Sequence, residues 1–137
     1  MTASGPPLRL LPRLDDDNRF FWTSGADGHL RFLRCGACRT FVHPPAPRCP
    51  ACLSDSLAPE VVSGRGTVES FTVNLQQWIP GSEPYIVAWV SIVEQPDVRL
   101  TTNLVGLEPT AVSVGMAVDV VFEESSDVYL PLFGPAR

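Results

Sequence analysis

Cys35-Gly36-Ala37-Cys38 and, ten residues later, Cys49-Pro50-Ala51-Cys52 decide how this chain is read. Two C-x-x-C pairs at this separation have the spacing of a zinc ribbon. Each pair forms a tight knuckle that brings two sulfurs to about 2.3 Å from one ion, and the intervening segment folds back to join the knuckles. Gly36 lies inside the first knuckle and Pro50 inside the second, where each is expected to help the chain bend. Disulfides would need an oxidising compartment, and a redox C-x-x-C is expected once, near a helix start, not twice. The expected cofactor is one structural Zn2+ held by Cys35, Cys38, Cys49 and Cys52, with iron in a rubredoxin-like site as the competing metal. His43 lies between the pairs, but four thiolates already close a tetrahedral shell, so it reads as a surface or outer-shell residue. A closed shell has no position for water or substrate. The metal is therefore expected to hold the fold and not to activate a nucleophile.

Outward from this staple, the chain is short and poor in charge. Its 137 residues carry ten basic side chains, all arginine, against fifteen acids, for a formal net charge of -5. The charged fraction of 18% is below the usual ~25%. That length allows one ordinary domain, or a small domain plus a stapled module, and excludes a complete large enzyme. Few charges with 45% hydrophobic residues leave apolar surface uncovered, which points to a protein partner. The acidic balance disfavours a binder that tracks nucleic-acid phosphates. No window approaches the ~18 apolar residues of a membrane span, and Met1 is not followed by a secretory pattern, so a soluble, cytoplasmic protein without a membrane partner is expected.

The patterning predicts a mainly β chain: a short N-terminal helix, a four-cysteine zinc ribbon and a C-terminal five-stranded OB barrel, with an SH3-like barrel as runner-up. Residues 1–14, with Pro6, Pro7 and Pro12, read as an extended arm. Residues 15–56 form the helix and ribbon: Asp15-Asp16-Asp17-Asn18 supplies caps for a helix through Arg19, Phe20, Phe21 and Trp22. His29–Arg34 alternates as a strand, and Thr40-Phe41-Val42 is its return. Residues 57–137 form the barrel, with strands near 66–77, 85–93, 98–105, 117–122 and 127–132. Gln95-Pro96-Asp97 is expected as a turn. A helical turn begins near Pro109, between the third and fourth strands, as in OB barrels.

Together, Phe21-Trp22, the two knuckles linked through Pro44-Pro45, the run Val62–Val73, Pro84–Ala88, Val98–Gly106, Val114–Val118 and Val121–Glu123 carry a resemblance. The chain resembles the acyl-CoA-associated rubredoxin-like zinc-ribbon plus OB-fold family over roughly residues 15–135. The resemblance implies company. Family members sit beside thiolase-fold proteins, and several are similar to obligate small subunits of thiolases and acyl-CoA aldolases, including steroid side-chain retro-aldolases.

No nucleophile with a base stands out: the two histidines are His29, in an expected strand, and His43. The expected function is thus a non-catalytic accessory subunit that binds and stabilises a thiolase-fold acyl-CoA enzyme as a hetero-oligomer. It is further expected to border that enzyme's acyl-CoA pocket. Trp78, Ile79 and Tyr85 flank a turn-bounded loop and are expected to touch the partner; Phe20, Phe21 and Trp22 divide between packing onto their own domain and facing another subunit. Arg65 and Arg99 are the candidate acyl-CoA phosphate contacts, each also readable as an ordinary surface arginine. The alternatives are a free-standing acyl-CoA binding module and an OB protein for single-stranded nucleic acid. The latter is weakened because Arg65 and Arg99 are the sole cations between residues 57 and 136.

Overall fold

The computed structural model describes residues 9–137. The expected arm over 1–14 therefore lies partly outside the described residues. Of the rest, Arg9 anchors to the barrel: its Nε donates to Glu123 Oε2 at 2.6 Å and its Nη1 to Asn103 Oδ1 at 2.7 Å.

Helix α1 (Arg19–Thr23) is shorter than two turns and runs on as a 3-10 turn, Ser24–Asp27, which Gly28 ends at φ +82°. Within the expected capping run, the first residue holds its start. The Asp15 carboxylate accepts from the backbone N–H groups of Asp17 and Asn18, whereas Asn18 makes no side-chain cap of its own.

Three antiparallel strands form the ribbon sheet: β1 (Leu30–Cys35), β2 (Phe41–Val42) and β3 (Leu57–Val62), in the order β2-β1-β3. The expected boundary at residue 57 follows a change in composition, but β3 pairs with β1 from Leu30↔Val62 to Cys35↔Leu57. Composition marks where β-branched residues begin and says nothing of which strand they join.

The remaining strands are β4 (Arg65–Asn74), β5 (Tyr85–Ile92), β6 (Gln95–Leu104), β7 (Ala117–Ser125) and β8 (Val128–Pro135). They close into a barrel in the order β4-β5-β6-β8-β7, with a 3-10 turn at Pro109–Ala111 between β6 and β7. This is the OB arrangement. Gly66 lets the barrel close, because a Cβ there would lie 2.4 Å from Val90 Cγ1 and 2.9 Å from the Ser91 carbonyl. The turn expected at Gln95-Pro96-Asp97 comes two residues earlier, at Val93-Glu94. Pro96 is tolerated inside β6 because the β5–β6 ladder is irregular there, shifting register between Ser91 and Ile92.

Ribbon and barrel share one core. Leu30 and Phe32 of β1 and Phe21 of α1 are contiguous with Val68, Ile86, Val90, Leu100, Val118 and Phe133. The tip of the β5–β6 hairpin fastens the joint. The Gln95 amide accepts from the Phe41 N–H at 2.8 Å and donates to the Phe41 carbonyl at 3.1 Å, while Glu94 accepts from the Ser63 N–H at 2.6 Å. Gln95 thus completes the edge of the two-residue strand β2.

Candidate functional site

The four cysteine sulfurs converge at one end of the ribbon, all within 4.8 Å of one another. Cys35 and Cys52 lie 3.5 Å apart, Cys38 and Cys49 3.6 Å. Both separations far exceed a disulfide bond of about 2.05 Å. They approach the ~3.8 Å edge of a tetrahedron whose sulfurs stand about 2.3 Å from a central ion. The residues therefore fit a four-thiolate metal centre.

Gly36 and Pro50 lie within the two knuckle turns, and a second device completes each bend. The chain reverses just after each pair, where Arg39 (φ +65°) and Leu53 (φ +67°) occupy the left-handed region. Arg39 N–H donates to the Cys35 carbonyl and Leu53 N–H to the Cys49 carbonyl, so the two knuckles are near copies. Gly36 serves for space: a Cβ there would meet Ser56 Oγ at 2.7 Å. The sulfurs divide into a buried pair, Cys35 and Cys49, and an exposed pair, Cys38 and Cys52. Thr40, through its side chain and then its backbone N–H, draws the Cys38 thiol down to about 6. Cys52 is lowered by the Ser54 N–H, but its place among Cys35, Cys38 and Cys49 outweighs this and pushes it up to about 12. Four thiols at this spacing cannot all ionise without a cation among them, which is the chemistry a divalent metal supplies.

His43 is half-buried and stands outside the cysteine cluster. Its ring centre lies 4.9 Å from those of both Phe21, tilted, and Phe32, edge-on, its Nδ1 is buried without a hydrogen-bond partner among the described residues, and burial lowers its pKa to about 4. Phe21 is correspondingly buried, at 5% exposure, so it faces its own core and no other subunit. Trp22 lies against Val128, Leu130 and Leu132 of β8, packing onto its own domain, and Phe20 lines an open cleft of about 320 Å3 with Leu33, Leu57 and Pro45.

Five of the barrel's exposed apolar residues gather on the β4–β5 hairpin. Leu75 and Trp78 are each 73% exposed in the loop, with Ile79 beside them. Tyr85, Val87 and Trp89 alternate along one face of β5, where Tyr85 and Trp89 are exposed. Sequence reasoning left Leu75 and Trp89 out of the contact set, although the i, i+2, i+4 spacing of Tyr85, Val87 and Trp89 already put them on one face. Both indole N–H groups are satisfied internally: Trp78 donates to Asn74 Oδ1 and Trp89 to Thr101 Oγ1, each at 3.1 Å. The ring faces are what remain on offer.

The two candidate phosphate contacts have different surroundings. Arg99 pairs with Glu69 at 2.5 Å and lies 5.3 Å over the Trp89 ring. Arg65 lines a second cleft of about 320 Å3 with Ser63, Asp119 and Arg137, and has no ion pair among the described residues. No helix is long and apolar enough to cross a membrane among the described residues.

Two family models match along the chain: the rubredoxin-like zinc ribbon domain of ChsH2 over residues 22–58, and the C-terminal OB-fold domain of ChsH2 over residues 60–123. A solved structure described as an Ltp2-ChsH2(DUF35) aldolase superposes with a TM-score of 0.83 at 37% identity, covering 93% of this chain and 100% of that one. The chain belongs to the ChsH2 zinc-ribbon and OB-fold family. The family resemblance read from the sequence is thereby established. Two longer relatives share the ChsH2-like region. A probable enoyl-CoA hydratase alpha subunit of Thermomonospora curvata is 38% identical, covering 94% of this chain and 40% of the relative. The 3-oxo-4,17-pregnadiene-20-carboxyl-CoA hydratase alpha subunit of Mycobacterium tuberculosis is 34% identical, covering 95% and 41%. The chain thus spans about two fifths of the length of these curated relatives.

Proposed function

We propose that this ChsH2-family chain is a non-catalytic accessory subunit. It binds and stabilises a thiolase-fold acyl-CoA enzyme, of which a retro-aldolase acting on steroid side-chain or other lipid acyl-CoA is the favoured case, and borders that enzyme's acyl-CoA pocket. The observation that carries this reading is the full-length match to the ChsH2 chain of an aldolase. A second observation supports the assignment of the chemistry elsewhere. The same ribbon and barrel match relatives with hydratase names as well as a structure with an aldolase name, so the shared module is common to different reactions.

The chain's own residues fit that role. Cys35, Cys38, Cys49 and Cys52 would hold one Zn2+, which stabilises the ribbon and, with its shell closed by four thiolates, offers no site to substrate. Trp78, Ile79 and Tyr85 present apolar surface to the partner, joined by Trp89 and Leu75, with Phe20 as a contact from the ribbon side. Arg65 is the better placed of the two arginines for a phosphate of CoA, since Arg99 is already held by Glu69. That pairing also argues against single-stranded nucleic acid on the barrel face, which would need free cations beside the aromatics.

The test is retro-aldol turnover by the Ltp2 aldolase subunit of the matched structure, assayed alone and with this chain. Turnover that rises with added chain to a saturating ratio supports the reading. Unchanged turnover with no association overturns it, and direct calorimetric binding of acyl-CoA by the chain alone would then favour a free-standing acyl-CoA module. Elemental analysis distinguishes zinc, expected at about one per chain, from iron.

A further inference from the structure

We propose that the outer edge of β4 beyond Val68 is a strand-addition site, on which an extended, uncharged segment of the partner enzyme pairs backbone to backbone. This inference rests on the accessory-subunit reading and deepens it by naming where and how the partner docks.

The ladders of β4 are unequal. It pairs with β5 along almost its whole length, from Gly66↔Ile92 to Asn74↔Tyr85, but with β7 only from Arg65↔Asp119 to Thr67↔Ala117. The last bonds on the β7 side run from Val68 N–H to the Met116 carbonyl and from Gly115 N–H to the Val68 carbonyl. Val68 therefore directs its polar groups away from β5. A bulge between Val68 and Ser70 adds one residue, after which alternation resumes and turns the N–H and C=O of Phe71 and Val73 to the outer edge. Among the described residues, neither backbone group has a partner there.

Two other open edges among the described residues are defended. The outer edge of β3 carries Pro59 and Glu60, the latter bridging Arg34 and Arg39. β6, which meets β8 only at Leu104↔Phe133, carries Pro96 and Asp97. Proline and charge are how soluble proteins prevent edges from pairing with other chains. From Ser70 to Asn74, β4 has neither, and the charge of Glu69 is taken up by Arg99. An edge left so is one that is covered in the working assembly. The complement of an unpaired row of amide and carbonyl groups is another extended backbone, and the absence of free charge selects an uncharged segment. The edge also continues directly into Leu75, Trp78 and Ile79, so strand and loop form one surface. Pairing with a second copy is opposed by the chain's formal charge of -5, which a homodimer would double.

The experiment is amide hydrogen exchange on this chain alone and in complex with the Ltp2 aldolase subunit of the matched structure. Exchange at Phe71 and Val73 is expected to slow by at least about 10-fold in the complex. Val73→Pro, which removes one edge N–H at a position where an edge strand tolerates proline, is expected to weaken the complex by about 10-fold, whereas Val73→Ala, which keeps it, stays within about 3-fold. Metal content and the thermal midpoint report whether Val73→Pro has folded; if it has not, the exchange measurement decides alone. A complex without slowed exchange over 69–74 overturns this inference and leaves the accessory role standing. Protection that grows with concentration in the chain alone overturns it in favour of a second copy. Failure to form any complex overturns the accessory reading itself.

Discussion

Acidification from pH 7 to pH 5 should destabilise this protein through His43, by an amount the structure allows one to work out. The imidazole lies between the Phe21 and Phe32 rings with Nδ1 buried and, among the described residues, unpaired, and burial lowers its pKa from 6.5 to about 4. Above 6.5 the ring is neutral in both folded and unfolded chains and pH has no effect through it. Between 6.5 and 4 the unfolded chain takes up a proton that the folded chain refuses, so stability falls as pH falls, levelling off below 4. At pH 5 the loss relative to pH 7 comes to about 2 kcal/mol, or about 8 °C in the unfolding midpoint of a domain this size. Because acid also protonates the cysteine ligands, the comparison is with His43→Leu, which fills similar volume without titrating. Thermal unfolding of the metal-loaded proteins at both pH values isolates the difference. If the variant loses as much stability as the parent between pH 7 and pH 5, or if the His43 ring signals titrate with a midpoint near 6.5, the account of His43 is wrong.

Further outcomes follow from the same geometry. Phe21→Ala should cost about 3 to 5 kcal/mol in unfolding experiments, because it empties a fully packed aromatic site, and its effect should appear in the free chain as much as in a complex. Cys49→Ala should abolish metal binding by elemental analysis and unfold the ribbon, since folding of such sites is coupled to the metal. Trp78→Ala should change stability by less than about 0.5 kcal/mol, the side chain being largely exposed, yet weaken association with the aldolase subunit by about 2 kcal/mol, or roughly 30-fold in Kd. An equal loss of stability and association would place Trp78 in the fold and not at the interface.

The spacing of Cys35, Cys38, Cys49 and Cys52 was enough to read the metal site, because ligand chemistry fixes both residue type and separation. The barrel was legible too, since β-branched and aromatic runs mark its strands, although the β5–β6 and β7–β8 turns, at Val93-Glu94 and Ser126-Asp127, carry neither glycine nor proline. What escaped the sequence depends on contacts between distant residues. Nothing local shows that Leu57–Val62 pairs with β1, that Gln95 bridges to Phe41, or that His43 is wedged between Phe21 and Phe32. The left-handed residues Arg39 and Leu53 carry no glycine to announce them; their conformation is imposed by the knuckles. Three consecutive aromatics at 20–22 signal only that their directions diverge. The fold sends Phe21 inward, Trp22 onto β8 and Phe20 to the ribbon cleft.

The central claim is that this chain works as part of another enzyme. Size-exclusion chromatography with light scattering, on the metal-loaded chain mixed with the Ltp2 aldolase subunit, tests it most directly. The account predicts a single heteromeric species containing both proteins, with an unfolding midpoint above that of either alone. Two separate peaks at their individual masses, with unshifted midpoints, would contradict it.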